Sequence, residues 1–177
     1  MTEQVSTRKN YVDALITDFS DPWFQAAFRQ YFEELGLKVK DWDGLFREMD
    51  QGNSGEKNTA YVRTGPEGVI GFIMFIPICF TSWFFEETCG FVREFWVAAE
   101  HRGRGHGSGL LALAERYFLE HGIYTSILTT DTAGRFYERR GYRKAAGCSA
   151  KNKDEVFVKR LKQGGQPARR VWDEAEF

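Results

Sequence analysis

Apolar positions recur along this chain at two different periods, and the Gly, Pro and Asp residues between them mark where one period gives way to the other. Tyr11 to Thr17 reads as a short strand. Asp21 followed by Pro22 is a helix start, since the carboxylate caps free amides and Pro at the first helical position forfeits no hydrogen bond. Phe24, Ala27, Phe28, Tyr31 and Leu35 then follow at helical spacing as its buried face, and Gly36 is placed to end the helix in a left-handed conformation. Asp41 caps a second, shorter helix with Trp42, Leu45, Phe46 and Met49 on one face, and Gln51 to Asn58 reads as an exposed loop.

Two β-like runs come next, Ala60 to Arg63 and Val69 to Phe80, joined by the Gly65 to Gly68 turn GPEG. Pro77 donates no ladder hydrogen bond, so it is expected at a bulge, an edge or the strand's end. Phe91 to Val97 is a further strand. Beyond a Gly-rich turn, Leu110, Leu111, Ala114, Tyr117 and Phe118 trace the buried face of a third helix that Gly122 terminates. Tyr124 to Thr130 is strand-like, Ala133 to Arg140 is a short helix stopped by Gly141, and Glu155 to Leu161 is a last strand. Strands alternate with helices only in the middle, which predicts an α/β or α+β domain, a mixed sheet with helices on both faces. The single domain is expected over residues 1–162, with residues 163–177 a mobile tail that Val171 and Trp172 have the apolarity to dock.

Composition adds bounds to this picture. The chain has 177 residues, 42% hydrophobic, which suits one sizeable core. Its 16 Phe and 5 Trp call for an aromatic-rich core or a roomy apolar cleft, and composition does not separate the two. No run reaches the roughly 18 apolar residues of a membrane span, and Met1 to Asn10 is polar rather than signal-like, so no membrane partner and a cytoplasmic location are expected. Three cysteines without CxxC spacing, Cys79, Cys89 and Cys148, read as buried free thiols. Charge divides unevenly: residues 1–90 carry 8 Lys and Arg against 14 Asp and Glu, and residues 91–177 carry 16 against 11. That split suits a polyanionic ligand on the C-terminal half and a cationic one on the N-terminal half.

The chemistry-bearing segment is RGRGHG, Arg102 to Gly107, between a strand and a helix. Alternating glycines let backbone approach a ligand closely, and the first amides of the following helix point at whatever anion sits there. Arg102 and Arg104 add charge at the rim of this pyrophosphate cradle. The spacing does not fit a dinucleotide GxGxxG, because the third position is Ser108 or Leu110, and it lacks the Lys of a P-loop. His101, His106 and His121 offer no third ligand at metal spacing, so no metal site is expected. The overall balance, net charge -1, and the lack of a basic recognition helix speak against nucleic acid.

Arg102, Gly105 and Gly107 do fit the Arg/Gln-x-x-Gly-x-Gly pattern, and the surrounding segment FWVAAEHRGRGHGSGLLALAERYFLEHG resembles the strand, pyrophosphate loop and helix of the GNAT superfamily of N-acetyltransferases. AGRFYERRGY, Ala133 to Tyr142, is similar to that family's later A-x-x-x-Y-x-x-x-G-[FY] element. The resemblance spans Phe91 to Tyr142. It implies a mostly antiparallel sheet in an acyl-CoA N-acyltransferase fold, with acetyl-CoA as donor and CoA as product.

The resemblance also implies roles. Backbone of Phe95, Trp96 and Val97 would hold the pantetheine arm, and Arg102, Gly103, Arg104, Gly105, His106, Gly107 and Ser108 the pyrophosphate. Thr130 stands where many members carry an Asn that contacts the cofactor. Tyr137 matches the tyrosine that protonates the departing sulfur, a role that suits a phenol with an ordinary pKa near ~10. Glu94 is the candidate general base for the incoming ammonium; some members place this acid where Phe91 stands here, and some rely on water.

For the acceptor, acidic residues (Asp41, Asp43, Glu48, Asp50, Glu86, Glu87) lie among aromatic ones (Trp42, Trp83, Phe84, Phe85), which suits a cation. A small-molecule amine is the expected substrate. A protein amine is one alternative, and a non-catalytic acyl-CoA sensor or interaction module is another. The family resemblance also makes a homodimer a reasonable assembly to look for.

Overall fold

The computed structural model describes residues 10–51, 56–83 and 86–162. Phe84, Phe85, the QGNSGEKN loop from Gly52 to Gly55 and the tail from Gln163 lie outside the described residues. The chain enters through strand β1 (Val12–Ile16), then helices α1 (Pro22–Glu34) and α2 (Trp42–Gln51). Strands β2 (Thr59–Gly65), β3 (Gly68–Thr81) and β4 (Glu86–Val97) follow. A 3-10 turn (Ala99–His101) then leads to helix α3 (His106–Glu120). The last elements are β5 (Thr125–Thr130), α4 (Gly134–Glu138), β6 (Arg143–Lys144) and β7 (Glu155–Arg160). The seven strands form one sheet in the order β1-β2-β3-β4-β5-β7-β6. It is mostly antiparallel: β4 and β5 run parallel, while β1 pairs antiparallel with β2, and β7 with both β5 and β6. This is the sheet of the fold that the sequence resembles.

The local signals act as expected. Asp21 Oδ1 accepts from the Phe24 amide at 2.8 Å with Pro22 opening the helix, and Asp41 Oδ1 accepts from the Gly44 amide at 2.8 Å. Gly36, at φ +70°, follows the end of α1. Two expectations need correction. Leu35 is not on the buried face of α1; it is 53% exposed, because it is the C-cap, where the helical stripe ends. Of the cysteines only Cys89 is buried, while Cys79 and Cys148 are exposed in the outer part of β3 and in the connection before β7. Pro77 sits inside β3, which has 14 residues against the 7 of β2 and so outruns that neighbour.

The chain groups into two compact units: one runs to Met74 and includes Glu94–Leu111, and the other comprises Phe75–Arg93 and the chain from Ala112. In the first, the many phenylalanines form a core. Phe24 lies 4.7 Å from Phe19, 5.4 Å from Phe28 and 5.5 Å from Phe72, centroid to centroid, and all four side chains are buried. In the second, Phe75 meets Phe118 edge to face at 5.1 Å, and Tyr142 is buried with its hydroxyl 2.8 Å from Ser126 Oγ.

Candidate functional site

The Gly-rich loop belongs to the first unit. The end of β4, with Phe95, Trp96 and Val97, delivers the chain through the 3-10 turn into Arg102–Gly105, and α3 begins at His106, within the motif. Gly103 and Gly105 have φ of +74° and +84°, and a Cβ at either would meet no heavy atom within 4 Å. Glycine is therefore demanded here by the left-handed backbone and not by crowding, and the space before it is open. The Gly105 carbonyl accepts from the Gly109 amide at 3.0 Å, the first bond of the helix. The amides of His106 and Gly107 precede that bond and have no intrahelical acceptor, and Ser108 shares their turn at the positive end of a 15-residue helix. Loop backbone and helix start together have the shape and the free amides to cradle an anion.

Charge around the cradle is arranged differently from the sequence expectation. Arg102 is turned back: its Nε donates to the Val97 carbonyl at 2.8 Å, and its guanidinium pairs with Glu34 at the end of α1. Glu34 also accepts from Trp96 Nε1 at 2.7 Å. The indole N–H, and after it the Arg102 guanidinium, hold the Glu34 carboxyl below the ordinary carboxylate range. Arg104 is exposed at the rim.

Beneath the cradle lies a residue that sequence reasoning missed. Arg63 on β2 is 3% exposed and clamps Asp13, its directly opposed neighbour on β1, through Nε at 2.6 Å and Nη2 at 2.9 Å. The Tyr11 ring lies 3.9 Å from the guanidinium carbon. Nη1 turns the other way, to the His106 carbonyl at 3.3 Å and His106 Nδ1 at 3.4 Å. A guanidinium only donates, so Nδ1 accepts and the ring proton belongs on Nε2. Burial, and then the Arg63 charge, lower the His106 pKa, which keeps the ring neutral at neutral pH. A charge inside each of two apolar strand runs was the available signal; the register that pairs them was not legible.

On the same unit, Glu94 of β4 is half-buried and its Oε2 accepts from Tyr31 Oη at 2.8 Å. An open groove of about 460 Å³ is lined by Gln30, Glu33, Glu34, Trp96 and Glu100 among others. Several acceptor candidates prove to be engaged elsewhere. Asp41 caps α2, Asp50 accepts from the Phe19 amide at 2.7 Å, and Trp42 packs beneath Arg29, 4.6 Å from its guanidinium carbon.

The second unit carries the remaining candidates. Tyr137, on α4, is 6% exposed, lies 5.6 Å from Tyr142 ring to ring, and has its phenol pushed up to about 12 by burial. Thr130 closes β5 and its Oγ1 accepts from the Ala133 amide at 3.0 Å, so this threonine holds the entry to α4. In the same unit Glu87 accepts from Thr125 Oγ1 at 2.8 Å and pairs with Arg160 at 2.7 Å. Burial, and then the Glu87 charge, raise the Cys89 thiol.

Comparison with known proteins follows the same line. None of the curated proteins matches by sequence. Among solved structures, a protein of Lactobacillus plantarum assigned as an N-acetyltransferase aligns with 20% identity over 87% of this chain and 100% of its own, with a TM-score of 0.62. A GNAT-family acetyltransferase of Staphylococcus aureus Mu50 aligns with 16% identity over 85% of this chain and 100% of its own, TM-score 0.60. The NatC complex bound to Gag peptide and CoA includes a chain with 14% identity over 87% of this one and 100% of its own, TM-score 0.61. These likenesses establish the fold. The sequence profile of the acetyltransferase (GNAT) family matches residues 11–142, well over half of the chain, and the protein therefore belongs to the GNAT family of acetyltransferases.

Proposed function

We propose that this acetyltransferase carries the acetyl group of acetyl-CoA to a primary amine of a small cationic molecule, by direct attack in a ternary complex. The observation that carries the reading is the loop: two left-handed glycines facing open space, continuous with the start of a 15-residue helix. Such a turn fits a pyrophosphate. Gly103, Gly105, His106, Gly107 and Ser108 would bind it chiefly through backbone, with Arg104 at the rim. Arg102 would act there only on leaving Glu34. Backbone of Phe95, Trp96 and Val97 and the Thr130 side chain are the proposed contacts for the rest of the donor.

Attack needs a neutral amine, and Glu94 is the proposed base, directly or through a water; its hydrogen bond from Tyr31 fixes where the carboxylate points. Tyr137 is the proposed acid for the leaving thiolate. Burial holds the phenol at about 12, so the proton it would give is present throughout the neutral range. The acidic groove beside Trp96 supports a cationic acceptor.

Calorimetric titration with acetyl-CoA, NAD and ATP tests the donor, using wild type and Gly105→Val. Selective CoA binding that is lost in the variant is expected. Thiol release over a panel of polyamines, amino acids, aminoglycosides and peptides then tests the acceptor. Turnover of peptides alone would replace the small molecule with a protein amine. Tight CoA binding without turnover of any amine would favour an acyl-CoA sensor, and no CoA binding by folded protein would end the acetyl-CoA reading for this chain.

A further inference from the structure

The Arg63 side chain costs the fold something that its strand does not require. A fully buried guanidinium loses its hydration, and only partners with good geometry offset that loss. Asp13 is such a partner, but it takes only two of the three nitrogens. The third, Nη1, reaches the carbonyl and ring of His106, the first residue of α3. The same guanidinium explains a glycine. Gly109 lies inside α3, where glycine is unfavourable, yet a Cβ there would come within 2.8 Å of Nη1 and 3.0 Å of Nη2. Asp13, Arg63, His106 and Gly109 thus form one strut from β1 through β2 to the first turn of α3.

Resting on the acyl-CoA reading above, we propose that Arg63 is a positioning residue for the donor's pyrophosphate. It fixes the first turn of α3 so that the amides of His106 and Gly107 keep their aim, and it places a buried positive charge under the cradle. It also sets His106 as a donor through Nε2, the nitrogen turned away from the guanidinium. Asp13 neutralises the charge while the cradle is empty and holds the fork in its plane. Arg104, exposed at the rim, exchanges with solvent and salt; this buried cation does not.

The test compares binding of CoA with binding of pantetheine, which has the same arm and no phosphates, in the full chain carrying Arg63→Met, Arg63→Lys, or Asp13→Asn with Arg63→Met. The double variant removes both charges, so that the fold is not left with an unpaired buried carboxylate; melting temperature and circular dichroism confirm that each variant is folded. Arg63→Met and the double variant are expected to weaken CoA about ten-fold, the scale of a hydrogen bond to a charged group, with pantetheine affinity unchanged. Arg63→Lys should recover part of the loss, since Lys restores charge without the fork. In ¹⁵N spectra, the wild-type His106 ring should show its proton on Nε2, and Arg63→Met should show a tautomer mixture.

A folded double variant that binds CoA as wild type does would overturn the proposal. So would equal weakening of CoA and pantetheine, which is the mark of a general structural role. Wild type that binds no CoA overturns the acyl-CoA reading and this inference with it, and that outcome is seen before any substitution is made.

Discussion

Tyr31 and Glu94 stand 63 residues apart in the chain, yet the tyrosine hydroxyl donates to the glutamate carboxylate at 2.8 Å. One comes from α1, the other from β4 three residues before that strand ends, so a helix side chain orients the carboxylate at the loop-proximal end of β4. A hydrogen bond to an ionised group contributes on the order of 1.5–3 kcal/mol, enough to fix a rotamer. Tyr31 is thus a positioning residue for the proposed base.

Replacing each partner separates the two roles. With an amine that wild type turns over, Glu94→Gln should lower kcat by roughly 10²–10⁴, the range of a lost general base. Tyr31→Phe should cost only about ten-fold, because the carboxylate remains and merely loses its aim. Steady-state kinetics with CoA affinity measured alongside checks both. A Glu94→Gln enzyme with unchanged kcat would pass the proton transfer to water.

Tyr137→Phe should lower kcat by roughly 10²–10⁴ while leaving acetyl-CoA affinity within about two-fold, since a donor to the leaving thiolate acts after binding. The sign of the pH effect follows from burial. A phenol held at about 12 is protonated at every pH below that, so the wild-type rate should show no alkaline fall from this residue up to about pH 10. Unchanged kcat in the phenylalanine variant would remove Tyr137 from the chemistry.

Glu34 predicts an acid-side change in stability. Its carboxyl is held below the ordinary 4.5 by Trp96 and Arg102, so its contribution is present above that value and is lost as pH falls through the lower folded one. The side chain is 38% exposed, so the effect is small. Melting temperatures of wild type and Glu34→Gln should differ most near pH 6 and converge toward pH 3. A gap that widens in acid would contradict the assignment.

Gly90→Ala tests packing in the second unit. The added Cβ would fall 2.5 Å from three ring carbons of Phe118, a buried side chain that also meets Phe75. Overpacking of this kind costs roughly 1–3 kcal/mol, so denaturant titration should show a lower midpoint with little change in slope. Equal stability would mean that Phe118 has room to move.

Much of the fold was legible because its signals are local. Asp21 with Pro22, Asp41 and the glycines at 36, 103, 105, 122 and 141 each act on backbone within a few residues, and these glycines all adopt positive φ. The RGRGHG loop was readable for the same reason, since its shape rests on backbone dihedral angles and on the helix that follows. The two-residue β6 left no periodicity to read, and it exists only because β7 supplies its partners at Val158 and Phe157. Leu35 misled the reading by continuing a helical stripe one residue past the helix.

By itself the sequence determined the order of the elements other than β6, the family and the left-handed glycine loop that opens α3, because short-range sterics and hydrogen bonding encode them. Only the tertiary structure decided what each charge does. Asp13 and Arg63 are 50 residues apart and meet through strand register; Glu34 and Arg102 are 68 apart and meet through helix placement. The physical reason is that a charged side chain takes its role from whichever partner reaches it across the fold. Register and packing settle that, and neither is written in local spacing.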